Sequence, residues 1–297
     1  MITVLGRRAA TFASLVKLSH TIFAAPFAVA AAMLATLRPH PPVTALRVLA
    51  IAICLVSARS AAMAYNRLVD RDIDARNPRT KQREIPAGIV SPRAAAGLVA
   101  FTSLLFVASA ASLGTVPAML ALPVLLVLLG YSHAKRFTWA AHLWLGLALS
   151  LAPGGAWLAI GARPELGIVT LMLSVLTWVG GFDVLYSLQD ESFDREQGLR
   201  SIPSRFGARG ALRIARGLHV VTCLALATTC ILLGGGPAFA LAVVLVGGLL
   251  VYEHRLVRSI DDTRVDLSRI DAAFFDINGY VSLGFFVLVA VDVLLRK

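Results

Sequence analysis

Nine stretches of this 297-residue chain, near 18–37, 43–65, 94–113, 115–131, 139–160, 166–189, 211–233, 237–252 and 273–295, are almost free of charge. Each approaches the roughly 20 apolar residues that a helix needs to cross the hydrocarbon layer of a bilayer. In lipid every backbone polar group must find its partner inside the protein, and a helix does so within one segment. The composition agrees: 58% of residues are hydrophobic and 15% charged, where a soluble domain carries roughly 25% charged residues. A soluble enzyme, a disordered chain and a basic nucleic-acid binder are all excluded on this ground. The expected fold is an all-α integral membrane protein of about nine spans in a single polytopic domain over 1–297. Only Gly114 and Pro117 part the third and fourth runs, and the eighth is short, so eight or ten spans remain open. The first run lacks the compact apolar core and small-residue cleavage site of a signal peptide, and is kept as a helix. Cys54, Cys223 and Cys230 lie inside apolar runs without metal-ligand spacing and read as core residues.

The chain carries a net charge of +11, and its placement sets the topology. Of 28 Lys and Arg residues, 22 fall in the N-terminal tail and in the connections 66–93, 132–138, 190–216 and 253–271. Arg38, Arg47, Arg163, Arg296 and Lys297 fall on the other side, and Arg59 lies inside a span. Positive charge collects in cytoplasmic loops, so the N-terminus and the charged connections are expected on the cytoplasmic face of a cell (inner) membrane.

Two of those connections open with carboxylates at helical spacing. Asn66, Asp70 and Asp74 are separated by steps of four, and Asp183, Tyr186, Asp190 and Asp194 by offsets of 3, 7 and 11. On a helix each set forms one stripe, where like charges four apart repel. Neutralisation by Arg67, Arg71, Arg76 and Arg195 at a solvated helix end is the ordinary explanation. The pattern occurs twice, however, each time followed by similar text, Arg83-Glu84-Ile85-Pro86 and Arg200-Ser201-Ile202-Pro203. Two related halves are the simpler reading. Oxygen ligands without nearby His or Cys suit magnesium, which shares one or two carboxylates with substrate phosphates. Arg79, Lys81, Arg83, Lys135, Arg136 and Arg200 then make sense as a diphosphate clamp. A metal–diphosphate site at the rim of an apolar bundle fits a substrate with a charged head and a lipid tail, such as an allylic isoprenyl diphosphate.

At these residues the chain resembles the UbiA superfamily of intramembrane aromatic prenyltransferases. The resemblance is carried by N66-R-L-V-D70-R-D-I-D74, by D183-V-L-Y186-S-L-Q-D190-E-S-F-D194, and by G198-L-R-S201 with R205-F-G207; weaker support comes from K17-L-S-H20-T, Y131-S-H-A-K135-R136 and N278-G-Y280. It implies nine helices around a central cavity, with Asn66, Asp70, Asp74, Asp190 and Asp194 holding two magnesium ions. The reaction it implies is ionisation of a polyprenyl diphosphate and capture of the allylic cation by an aromatic ring. Asp183 and Tyr186 are the expected catalytic pair, and Arg59, Lys17, His20 and Asn278 the expected acceptor-binding residues. Arg59 has two readings: a salt bridge to Asp183 or Asp276, or a fork gripping an acceptor carboxylate. The second makes the acceptor an aromatic acid, 4-hydroxybenzoate or the dihydroxynaphthoate of the futalosine menaquinone route. A membrane transporter is the competing class, but its site is expected near the bilayer midplane on broken helices, whereas these acids lie at helix ends.

Overall fold

The computed structural model describes Leu15, residues 23–258 and residues 265–297, all of it helix and connecting turn apart from one isolated bridge residue, Val265. In chain order the helices are α1 (Ala25–Ala35), α2 (Ala45–Val69), α3 (Arg71–Arg76), α4 (Pro92–Leu113), α5 (Thr115–Gly130), α6 (Ala134–Phe137), α7 (Ala141–Ile160), α8 (Leu166–Tyr186), α9 (Glu191–Glu196), α10 (Ile202–Leu232), α11 (Pro237–Leu256) and α12 (Asn278–Leu295). Short 3₁₀ turns occupy Tyr131–His133 and Ser187–Asp190, and a π-helical turn, Ala272–Ile277, precedes α12. Among the described residues eight helices are long and apolar enough to cross a membrane, and α1 is a shorter apolar helix. The protein is therefore an all-helical, multi-pass membrane protein. Of the first apolar run only the α1 portion and its approach are described.

Helix ends follow the local chemistry. Thr44 and Ser91 accept the N–H groups of Arg47 and Ala94 at the starts of α2 and α4, and Pro92 occupies the first turn of α4, where its missing N–H costs nothing. Ser201 and Ser204 form a reciprocal capping box at the start of α10. That cap starts the turns that precede the apolar run at 211, and a kink at Gly207 (φ 67°, ψ 176°) parts the first of them from the rest of α10. Its first turns are amphipathic and arginine-rich, a pattern that a search for purely apolar runs passes over. Pro123 and Pro153 lie inside α5 and α7, as membrane helices allow.

The chain forms two compact units, one comprising Met1–Thr21 and Thr44–His133, the other Ile22–Val43 and Ala134–Lys297. In the first, α2 packs on α4 and α5, through Ala61, Phe106, Ala110, Ala121 and Leu125 in one cluster and Leu15, Ala64, Ile85, Val90 and Ala95 in another. Lipid tails are as apolar as leucine, so spanning helices associate through close packing rather than hydrophobic transfer, and small residues permit that approach. In the second unit α8 is the central helix, flanked by α7 and α10, while α1 and α11 pack on α12. Gly146 of α7 meets the Leu176 carbonyl of α8 so closely that an added Cβ collides with it. Outward-facing residues such as Leu126, Ile231 and Leu295 are more than 70% exposed, which in a membrane is the lipid-facing surface.

Candidate active site

The first aspartate motif does not run along one uninterrupted helix. α2 ends at Val69, Asp70 takes φ −91° and ψ 4°, and α3 begins at Arg71. Local ties nevertheless keep the motif together: Asn66 Nδ2 donates to Asp70 Oδ2 at 2.8 Å, and the Asp74 N–H donates to the Asp70 carbonyl at 2.7 Å. Beyond α3 the chain folds back. Asn77 Oδ1 accepts the Arg79 N–H at 2.9 Å, and the buried Thr80 hydroxyl donates to the Asp74 carbonyl at 3.1 Å. This return brings Arg83 Nη1 to Asp74 Oδ1 at 2.7 Å. Asp74 is buried, and its other oxygen, Oδ2, has no hydrogen-bond partner among the described residues. Asp72 is 81% exposed and meets Arg71.

The second motif repeats the device in the other unit. α8 ends at Tyr186, a 3₁₀ turn carries the chain to Asp190 (φ −102°, ψ 4°), and α9 starts at Glu191. Asp190 and Asp194 are both buried, and Lys135 Nζ reaches Asp194 Oδ2 at 3.1 Å. The Leu199 N–H donates to the Asp194 carbonyl at 2.8 Å and the Arg200 N–H to the Lys135 carbonyl at 2.7 Å, so the segment after α9 staples Lys135 beside Asp194. In each unit, then, the middle aspartate sits in the sparsely populated bridge region that active-site residues often occupy. In each, the aspartate four residues later is buried against a base, Arg83 or Lys135. The expected single helical stripes are corrected accordingly: a tight bend at Asp70 and a 3₁₀ turn ending at Asp190 interrupt them, because the terminal turns of helices tighten where the ladder runs out of partners.

Asp183, one turn before the end of α8, accepts a 2.6 Å hydrogen bond at Oδ2 from His142 Nδ1 of α7. His142 is fully buried, and its Nε2 accepts the N–H of Ile202, the first residue of α10, at 3.3 Å. A backbone N–H only donates, which fixes the tautomer: Nε2 is the acceptor and Nδ1 carries the hydrogen given to Asp183. One imidazole thus joins three helices and orients the acid, whose own side chain is 19% exposed. Tyr186 stacks on Phe274 at 4.0 Å between ring centroids, and Phe274 in turn meets Phe182, Phe23 and Phe275. Beside the acid lies an aromatic wall.

Other expected site residues fare unevenly. Arg79, Lys81 and Arg136 are exposed on the charged rim. Arg200 is exposed as well, but spends Nη1 on the Phe137 carbonyl at 2.6 Å, which gives it a structural task. Asn278 is a clearer correction: it is fully buried, its Oδ1 accepts from Trp178 Nε1 at 2.7 Å, and its Nδ2 donates to Glu253 Oε1 at 2.9 Å and to the carbonyls of Ala273 and Phe274. Both amide hydrogens are committed to the π-helical turn and the Glu253 carboxyl, and the side chain is fully buried, so no donor is left for an acceptor molecule. Arg59 is half-buried midway along α2, and the partner that meets the Asp183 carboxylate among the described residues is His142. Lys17 and His20 lie outside the described residues. Sequence reading passed over His142 and Glu253, and took Arg67 only as a neutralising charge at a solvated helix end. Arg67 is buried, and its Nε is without a hydrogen-bond partner among the described residues; its place between Asn66 and Asp70 was the available signal.

Among the described residues no three His, Cys, Asp or Glu side chains converge into a finished metal cage. The donors fit magnesium all the same. They are hard oxygens on two short motifs, and Asp74 Oδ2 is a buried carboxylate oxygen that accepts no hydrogen bond among the described residues, a free donor of the kind magnesium takes beside water and substrate phosphates.

A family model for the UbiA prenyltransferase family matches residues 24–277. The chain is 33% identical over 211 residues to a 4-hydroxybenzoate octaprenyltransferase of Vibrio atlanticus, covering 70% of this chain and 72% of that one. It is 30% identical over 242 residues to the enzyme of that name from Nitrosomonas europaea, covering 80% and 79%. Among solved structures, the apo form of a UbiA homolog from Aeropyrum pernix K1 superposes with a TM-score of 0.77 at 30% identity over 94% of this chain and 98% of its own. A UbiA homolog from Archaeoglobus fulgidus bound to GPP and Mg2+ shares the fold, with a TM-score of 0.72 at 18% identity over 94% and 99%. Helices, paired aspartate motifs and relatives converge, and this chain belongs to the UbiA prenyltransferase family, as a multi-pass membrane prenyltransferase.

Proposed function

We propose that the protein transfers a polyprenyl group from an allylic polyprenyl diphosphate to an aromatic acid, 4-hydroxybenzoate, at the cytoplasmic face of a cell (inner) membrane, in quinone biosynthesis. The observation that carries this reading is the repeated device: a bridge-region aspartate followed by a buried, base-paired aspartate in both units. Asn66, Asp70 and Asp74, together with Asp190 and Asp194, would hold magnesium, whose chemistry is to neutralise the departing diphosphate. The chain's own residues do the rest. Arg83 and Lys135 stand at the motifs, and Arg79, Lys81 and Arg136 supply further cationic donors to the diphosphate oxygens. Breaking the C–O bond leaves the electron pair on diphosphate and an allylic cation. Its charge is favoured by the electron-rich faces of Tyr186 and its aromatic neighbours, and the apolar surroundings exclude the water that would otherwise trap it. The acceptor ring attacks through carbon and then loses its ring proton. Asp183, oriented by His142, is the group placed to orient and deprotonate the phenol, while Arg59 grips the acceptor carboxylate.

The homology to 4-hydroxybenzoate octaprenyltransferases supports this acceptor. The test is turnover by purified protein of one prenyl diphosphate with magnesium, offered 4-hydroxybenzoate and dihydroxynaphthoate in competition. Preferential prenylation of 4-hydroxybenzoate is expected; exclusive use of the naphthoate would replace the acceptor, and consumption of neither would overturn the enzyme reading.

A further inference from the structure

The outward face of α10 changes character once along its length. Arg209, Arg213, Arg216, Val220, Leu224 and Ile231 follow one another at helical spacing on a single stripe, and all are exposed. The last three, 59%, 63% and 78% exposed, have no function at a water surface and belong against acyl chains. From Arg216 to Ile231 the helix rises about 22 Å, most of the roughly 30 Å hydrocarbon thickness, and from Arg209 to Arg216 about 10 Å, enough to span the roughly 5–8 Å headgroup layer of one leaflet. The three arginines therefore stand at headgroup level on the lipid-facing side. They do not face the protein interior.

The neighbouring helix repeats the pattern. On α11 the exposed Leu241, Val244 and Val251 form a stripe that ends in the exposed Arg255. Arg213, Arg216 and Arg255 make no ion pair with an acidic side chain among the described residues, and none of the carboxylates described above is directed to them: Asp194 meets Lys135, and Glu253 is buried against Asn278. An interfacial aromatic pair marks the same level. Trp139 and Phe206 meet edge-to-face at 5.5 Å, both partly exposed, with the Arg205 guanidinium over each ring; aromatic rings of this kind collect at the membrane–water boundary.

We propose that the arginine stripe of α10, continued by Arg255 of α11, is a binding site for the phosphate headgroups of anionic phospholipid. The charge complementarity is direct, since guanidinium forks match phosphate oxygens in bidentate geometry and long arginine side chains reach headgroups from the edge of the apolar layer. This site is separate from the aspartate motifs, and it stands whether or not the acceptor assignment holds.

The full-length protein, purified in a neutral detergent, is titrated with dioleoylphosphatidylglycerol or dioleoylphosphatidylcholine, and lipid-bound species are counted by native mass spectrometry. Phosphatidylglycerol is expected to bind more tightly than phosphatidylcholine. Arg→Gln substitution should weaken the phosphatidylglycerol complex about fivefold for each arginine removed, and on the order of 100-fold for Arg209, Arg213 and Arg216 together. The triple Arg→Lys variant retains most of the preference, and Arg163→Gln, which removes an exposed arginine at the other end of α8, leaves it unchanged. Equal binding of the two lipids by the wild-type protein, or an undiminished preference in the triple Gln variant, overturns the proposal. Folding of each variant is read separately from its thermal unfolding, which the loss of exposed charge leaves near the wild-type temperature.

Discussion

His142 separates stability from catalysis in a way that a pair of substitutions can resolve. Its Nδ1 gives a hydrogen to Asp183 and its Nε2 takes one from Ile202. In His142→Asn the side-chain amide nitrogen falls where Nδ1 was, preserving the donor to Asp183 and orphaning the Ile202 N–H. In His142→Gln the amide oxygen falls near Nε2, preserving the acceptor for Ile202 and releasing Asp183. A buried unsatisfied N–H costs about 1–3 kcal/mol, and a hydrogen bond to a charged group contributes about 1.5–3 kcal/mol. The Asn variant should therefore unfold about 1–3 kcal/mol more easily and keep most of its turnover. The Gln variant should lose about 10- to 100-fold in turnover, the rate equivalent of an Asp183 no longer held by that bond. His142→Leu loses both partners and should be destabilised by about 3–5 kcal/mol. The assays are thermal unfolding in detergent and single-turnover prenylation of 4-hydroxybenzoate. Equal turnover in the Asn and Gln variants would refute the positioning role, even if both were unstable.

Asp70→Ala or Asp190→Ala should abolish turnover while the protein remains inserted and folded, as judged by gel filtration; near-normal activity in both would remove these residues from the metal site. Chelation with EDTA should stop the reaction and added magnesium restore it, whereas activity in chelator would rule out the metal requirement. Asn278→Leu removes the hydrogen-bond partners of the Trp178 N–H and of Glu253 Oε1 in a buried site, and should lower stability by about 2–5 kcal/mol with loss of the π-helical turn, which hydrogen exchange at residues 272–277 would register. Gly146→Ala forces α7 away from the Leu176 carbonyl and should cost about 1–3 kcal/mol; unaltered unfolding would show that this helix pair is looser than its geometry.

Much of the architecture was legible because a bilayer imposes a single-segment rule. A run such as 166–189 has to satisfy its own backbone in hydrocarbon, and α8 lies there; where the rule does not apply, as in the arginine-rich start of α10, hydropathy missed the helix. The aspartate motifs were also legible as residues at a spacing. Their backbone was not, since the conformation of Asp70 and Asp190 depends on where each helix runs out of hydrogen-bond partners and on the bases that then meet Asp74 and Asp194.

Sequence alone, then, determined that this chain crosses a membrane many times and where along it the charged connections and the two carboxylate motifs fall, because hydrophobic transfer and residue spacing are local or additive quantities. Tertiary structure decided the partners. Sixty residues separate His142 from Ile202, one hundred separate Trp178 from Asn278, and fifty-nine separate Lys135 from Asp194. Nothing local encodes those pairings: each exists because packed helices bring buried polar groups together, and in an apolar interior such groups are costly until they are paired.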